Sequence, residues 1–483
     1  MFKVNKSRKV FVAFAAFAVT CLVFSSLIQT GTPEIVTPIQ VPCTITTTGN
    51  AWSGDILFDL EINSAYNGPL ANSNYYVVMN TGSNQSLAMR QYGASYGVGY
   101  NILPDLIMFQ GESSIGGPES APTFATNFWN VTSGATEAFP NVIGEHDVQY
   151  DPVNNTFLTL QDFIQTVGTN QYVVDEIVEF DAAGNVLWTW NMTAPGRVPL
   201  SIASPFNLTT PYNGSTYIDF SHCNSLDWDY NDSIIYLNSR NLNTFYKINE
   251  TSGNIIWGCG EYGNFTLLGS NGQPLVSANG HKTSLWYNSH DTKQVAPDVF
   301  TMFDNDEDNE TNNQDCRSSM IELTLNETSM TAYVNFRWEA PPSLFTLYAG
   351  GTILLPNGDY LGDFADASHH FPNNPYNFTD SGANFVEVNS KGQVVRTWTF
   401  PVGCYVYRVQ TFSDPANPTF YSPTTTAAPS PATTPAPTAS PIISSHSLIS
   451  SQEFAGIAAA IVVVVIAAAA VIILRKRAKR KPG

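Results

Sequence analysis

Three of the seven histidines in this 483-residue chain occupy matching places. His146 stands in GEHDVQY, His222 in DFSHCNSLDW and His290 in YNSHDTKQVAPDVFTMFDN, each at the head of a short apolar or alternating run. Arg240 closes the run that follows His222, and Asn224 adds an amide two residues after that histidine. Imidazole donates a hydrogen bond, carries a proton near neutrality or attacks an electrophile, while guanidinium presents a planar fork of donors. Brought around one point, such groups suit a tetrahedral anion that is gripped and then transferred. His281, nine residues before His290, is an alternative for the same place; His369, His370 and His446 lie in Pro-containing loop or linker sequence and receive no role.

Competing chemistries are absent from the sequence. It holds no serine-nucleophile elbow, phosphate loop or dinucleotide fingerprint, and no C-x-x-C spacing for zinc. The acidic run Asp304 to Asp315 lacks glycine at the sixth position of a calcium loop and has no flanking helices, so it reads as a solvated insertion. No metal and no cofactor are expected.

The elements that must position these residues are strands. From Cys43 to Phe412 no long 3.6-residue periodicity occurs, only short alternating or aliphatic runs separated by Gly, Asn, Asp and Pro. EIVEFDAAGNVLWTW, TFYKINETSGNIIWGCG and NFVEVNSKGQVVRTWTF share a strand, a turn with glycine, a strand and a tryptophan, and a weaker copy ends at Trp338. Trp190, Trp257, Trp338 and Trp398 are 67, 81 and 60 residues apart, as expected of four-stranded blades with insertions. Two less regular units, Ile56 to Arg90 and Tyr100 to Trp129, precede them, which predicts an all-β, six-bladed β-propeller. The late run CYVYRVQTF is expected to pair with the first blade and close the ring. The innermost strands of a propeller begin near its central channel, where His146, His222 and His290 would converge.

Composition frames this domain. Hydrophobic residues make up 43% and aromatic residues 12%, enough for a large core. Four of the 21 basic residues precede the first apolar run and six lie in the terminal RKRAKRK, so the middle holds 11 against all 40 acidic ones. So acidic a body repels nucleic acid and polyanions, and any anionic ligand must be small and held by local cations. Residues 1–29 read as a signal peptide or signal anchor, 43–412 as the propeller, 413–453 as a Pro/Thr/Ser-rich stalk, 454–474 as a transmembrane helix and 475–483 as a basic cytoplasmic tail. The basic tail orients the chain as a single-pass type I protein of the plasma membrane or an endomembrane, its propeller extracellular or lumenal. Twelve N-x-[ST] sequons between Asn84 and Asn377, and none in the tail, agree with a glycosylated ectodomain. Cys21 sits in the leading apolar run, and the other five cysteines are an odd number, so at least one thiol stays free or pairs between chains.

The motif D-x-x-H-x-N-S (Asp219, His222, Asn224, Ser225), followed 18 residues after its histidine by the arginine of an S-R pair (Ser239, Arg240), resembles the core of the PAPS-independent arylsulfate sulfotransferases, which are six-bladed propellers. The H-D pair at His146 and the F-D-N of Phe303, Asp304 and Asn305 after His290 match that family too, over roughly Gly144 to Phe412. The resemblance implies that His290 takes a sulfuryl group from an aryl sulfate and passes it to a phenol without a nucleotide donor. It further implies that His222, Arg240 and His146 hold the sulfuryl oxygens, with Asn224 a further donor. Cys223 departs from the aliphatic residue expected inside the motif. A different class of protein, a non-catalytic surface propeller serving as receptor or adhesion module, is the alternative, because fold alone does not decide activity.

Overall fold

The computed structural model describes residues 38–412 apart from 93–98, 104, 116–122, 203–208, 213–214, 277–283, 307–316 and 366–381. All of these belong to one compact unit, and the expected leader, stalk, membrane span and tail lie outside them. Strands account for nearly all the regular structure, the described exception being a single 3-10 turn at Pro342–Leu344. No helix among the described residues is long and apolar enough to cross a membrane.

Hydrogen bonding joins the described strands into five sheets. Asp55–Ile62, Ser73–Asn80 and Ser86–Tyr92 form the first, completed by Cys404–Tyr405 and Val409–Phe412 from the far end of the domain. A nine-stranded sheet follows, running from Gly99–Leu103 to Ser215–Asp219. Next come an up-and-down sheet of four strands, Cys223–Asp229 to Asn254–Gly260, and a sheet that opens with His290–Ala296. The last opens with Gly351–Leu354, and Thr44–Thr47 is added at its outer edge. Among the described residues four discrete blade-like sheets are therefore present instead of the expected six. The reason lies in Thr136–Asp151, a 16-residue strand. Its first half pairs with Thr123–Asn130 and its second with Thr156–Val167, so two predicted blades stay hydrogen-bonded as one sheet.

The cores explain why the arrangement is propeller-like. Neighbouring sheets pack face to face: Phe245 and Trp257 against Phe300, Phe303 against Phe364, Phe58 against Phe385. The two halves of the nine-stranded sheet do likewise through Phe128 and Phe157. The first sheet meets the nine-stranded one through Tyr76 and Phe109, and that one meets the next through Leu160, Trp190 and Leu226. This succession of cores returns to its start. At about 1.5–3 kcal/mol for each large apolar side chain fully buried, contacts between sheets supply most of the cohesion. Trp190 and Trp398, two of the tryptophans that mark the repeat, are fully buried. The late strand closes the ring as expected: Glu61 faces Tyr405 and Ile62 faces Cys404, while Asp55 to Phe58 face Phe412 to Val409.

Candidate active site

Each of the three histidines sits on the same local irregularity. The ladder slips between Glu145 and Val148, between Cys223 and Ser225, and between His290 and Lys293. A non-glycine residue takes a left-handed backbone within two of the slips, His146 at φ 50° and Asp291 at φ 52°, and one residue before the third, His222 at φ 44°. Such bulges cost on the order of 1 kcal/mol apiece and re-aim a side chain that the pleat would send elsewhere. Short polar sequences (H-D, H-C-N, H-D) at strand starts suit this conformation, whereas a β-branched residue would resist it.

The bulges bring the imidazoles together. The ring centroids of His146 and His222 are 5.1 Å apart, and Tyr407 lies 6.3 Å from His146 and 6.4 Å from His290. His222 Nδ1 lies 2.7 Å from Asp219 Oδ2, an acceptor, so that nitrogen carries a proton. His290 Nδ1 lies 2.7 Å from Asn305 Oδ1 and 3.2 Å from Asn288 O. Asn305 cannot flip, because its Nδ2 donates to Thr346 O and Ala349 O. Both neighbours of His290 Nδ1 are therefore acceptors, the proton sits on Nδ1, and the lone pair sits on Nε2, which receives the Ala349 N–H at 3.1 Å.

Arg240 joins through its backbone N–H, which donates to His222 O, and its Nη1 donates to Asn241 Oδ1. Asn224 is fully buried; its Nδ2 donates to Ser289 O, next to His290, and its Oδ1 accepts from Asn238. That contact makes it a brace between two strand starts. Cys223 turns away from the site: its backbone N–H donates to Asp175 and its Sγ lies 3.9 Å from Met192 Sδ in the apolar core. A buried thiol behaves as a small hydrophobe, which accounts for cysteine where an aliphatic residue was expected.

Two residues that carry no motif enter the same space. Arg408 and Tyr407 come from the closing strand, and Arg408 is 1% exposed. Its guanidinium reaches Asp147 Oδ2 and Asp291 Oδ1, both at 3.3 Å, and donates to Asn224 O at 3.1 Å. The one available signal was a lone arginine inside an otherwise apolar run. His281, His369 and His370 lie outside the described residues, as does most of the acidic run Asp304 to Asp315. Among the described residues no cluster of metal-ligating side chains occurs.

Electrostatics follow from burial and from this crowding of cations. His146 is held well below the usual imidazole value, first by burial and then by His222, His290, Arg408 and Arg240. His290 is lowered likewise, by burial and then Arg240, although its bond to Asn305 opposes the shift. Burial pushes Asp219 up, yet the neighbouring His222 and Arg240 outweigh it and keep the carboxylate charged. Asp147, under Lys293 and Arg408, is lowered against its burial in the same way. Two imidazoles are thus neutral at neutral pH beside one exposed enough to meet solvent, His222, whose side chain is 16% accessible. A cavity of about 260 Å³ lies toward the other ends of the same strands, beside Gln149, Trp228 and Lys293. A second, of about 320 Å³, is lined by Glu61, Asn74, Tyr348 and Tyr405. None of the three histidines lines either.

In this all-β, propeller-like domain three imidazoles at strand starts and a guanidinium just past a strand end are gathered in one place. A family model described as arylsulfotransferase (ASST) matches residues 135–408, more than half of the chain and the stretch holding all four groups, and the chain belongs to that family. No curated protein matches the sequence. Similar solved structures include a putative 6-phosphogluconolactonase from Bacteroides fragilis, at 10% identity over 75% of this chain and 98% of that one, with TM-score 0.36. A protein from Lactobacillus plantarum is similar at 8% identity over 75% and 100%, with TM-score 0.37. The periplasmic gluconolactonase of Pseudomonas aeruginosa gives 10% identity over 74% and 99%, with TM-score 0.34.

Proposed function

We propose that this protein transfers a sulfuryl group from an aryl sulfate to a phenol through a sulfohistidine at His290, with no nucleotide donor. The observation that carries the reading is the tautomer of His290: with the proton fixed on Nδ1 by Asn305, the ring presents its lone pair on Nε2 and is neutral. In the first step Nε2 attacks sulfur, the S–O bond to the aryl oxygen breaks, and the phenolate leaves with a proton. In the second, the oxygen of an acceptor phenol attacks the same sulfur, gives up its proton, and the N–S bond breaks. In this reading Arg240, His222 and His146 surround the sulfuryl oxygens, and His222, its Nδ1–H held by Asp219, enters with a second proton on Nε2, gives it to the departing phenolate and takes one back from the acceptor phenol. Attack requires Nε2 to leave the Ala349 N–H, so the Ala349–Gly350 turn shifts as donor arrives.

The reading extends to the cell. A span at 454–474 with its basic tail would tether the domain, leaving the propeller extracellular or lumenal. In support, the sequon asparagines among the described residues, such as Asn154, Asn231, Asn264 and Asn326, are exposed or half-buried. The deciding experiment gives the purified protein a chromogenic aryl sulfate with and without a phenol, and looks for a sulfuryl adduct by mass spectrometry. Donor-dependent turnover, an adduct on His290 and loss of both in His290→Ala are expected. Binding of aryl sulfate without turnover, unchanged by that substitution, would instead indicate the receptor alternative.

A further inference from the structure

Arg408 lies where the closing strand breaks its ladder. Cys404–Tyr405 and Val409–Phe412 pair with the first strand, but between them Asp59 takes the N–H of Tyr407 at 3.1 Å and of Arg408 at 3.0 Å on its carboxylate. This turns the guanidinium inward. There it touches Asp147, the residue after His146; Asp291, the residue after His290; and the carbonyl of Asn224, two residues after His222. Its Nη1 also lies 3.3 Å from the Tyr100 hydroxyl, which itself donates to Asp147. One planar group beside the first sheet thus meets, on three other strands, a residue one or two places after each of these three histidines. The fork geometry of arginine fixes these directions at once, which a lysine ammonium does not.

Gripping the sulfuryl group is not what these contacts suit. Two carboxylates face Arg408 and its side chain is wholly buried, whereas Arg240 is 7% exposed. We propose that Arg408 is a positioning residue that sets the mutual placement of His146, His222 and His290, so that the site is completed only when the closing strand docks. This rests on reading the three histidines as the transfer site.

The test uses the full chain with Arg408→Lys, Arg408→Gln and Gly351→Ala, the last placing a methyl 2.6 Å from Asp291 Oδ2 and 3.4 Å from Arg408 Cγ. Turnover of a chromogenic aryl sulfate is measured per folded molecule, the folded fraction coming from a thermal melt. Misplacement by about an ångström costs on the order of 100-fold in rate, so kcat should fall by about that factor while KM for donor stays within about threefold. Arg408→Lys, which keeps the charge and loses the fork, should not restore it. Removing the cation should also move the acid limb of the rate profile to higher pH, a change that simple loss of stability does not produce. A kcat within about threefold of the parent in either Arg408 variant, or a loss accounted for by unfolding alone, would overturn the proposal. If neither Arg408 variant folds, Gly351→Ala, which keeps Arg408, decides by the same criterion. Should the parent show no turnover, the transfer reading fails, and placement is read without substrate by proton titration of the seven histidines in 13C-histidine-labelled protein. Joint movement of His146 and His290 in Arg408→Lys, which keeps the charge and loses the fork, supports the assignment; unmoved resonances sink it.

Discussion

At His290 the unusual property is neutrality. An ordinary imidazole, with a pKa near 6.5, is only about one-tenth neutral at pH 5.5. His290 is lowered well below that by burial and by Arg240, so its lone pair persists in mild acid. Phenol release from donor in single turnover should accordingly stay flat from pH 7 to about 5.5; a tenfold fall over that range would mean that an unshifted histidine does the work. His222 depends on a different neighbour. Asp219→Asn removes the carboxylate at 2.7 Å that fixes its proton and exchanges a charged partner for a neutral one. A loss of about 10- to 1000-fold in kcat is expected, largest for donors with poor leaving groups, because those need the proton most. A uniform loss across leaving groups would argue against proton transfer at His222.

Among the elements, the bulged strand starts and the Ala349–Gly350 turn carry the strain. Ala349 lies at φ 63° and Gly350 at φ 96°, and a Cβ on Gly350 would come 2.8 Å from both Asp363 O and the Phe303 ring. Gly350→Ala should therefore destabilise the fold by about 2–3 kcal/mol in urea unfolding, and a change under about 0.5 would show that the turn is slack. These features mark the limit of what the chain discloses in one dimension. His146, His222 and His290 were legible because similar residues recur at the heads of alternating runs, and closure by Cys404 to Phe412 because an apolar strand was left over. The slips in register were not, since a bulge adds one residue without altering hydrophobic alternation on either side. Arg408 and Asp59 were missed for a related reason: their partners are hundreds of residues away, and a single charge in an apolar run has no period. Fusion of two predicted blades through Thr136–Asp151 escaped notice because Pro140, Asn141 and Gly144 read as a boundary between strands, yet one strand runs through them and changes neighbours after Gly144.

For the molecule as a whole, stability depends on buried acids. Asp59 is pushed up to about 7 by burial, against its bonds from Arg408 and Tyr407 and the Arg408 charge. The sign follows from linkage: the folded chain holds a proton that the unfolded chain has released, so this contribution is full below the ordinary carboxyl range and is lost as pH rises through about 7. Asp363, pushed higher by burial, Asp59 and Asp291, acts in the same direction. The urea midpoint should therefore decline between pH 5 and 8, and Asp59→Asn should flatten that decline. An equal slope in both proteins would place the titration elsewhere.

Among the described residues Cys43, Cys223, Cys259 and Cys404 are buried, two in the core shared by the first and last sheets and two around the sheet that carries His222. None meets an alkylating reagent until its surroundings open. The protein therefore carries its own breathing gauge. The order in which Cys404 and Cys223 become modified would report whether the seam of the ring or its middle loosens first, with no label added and no residue changed.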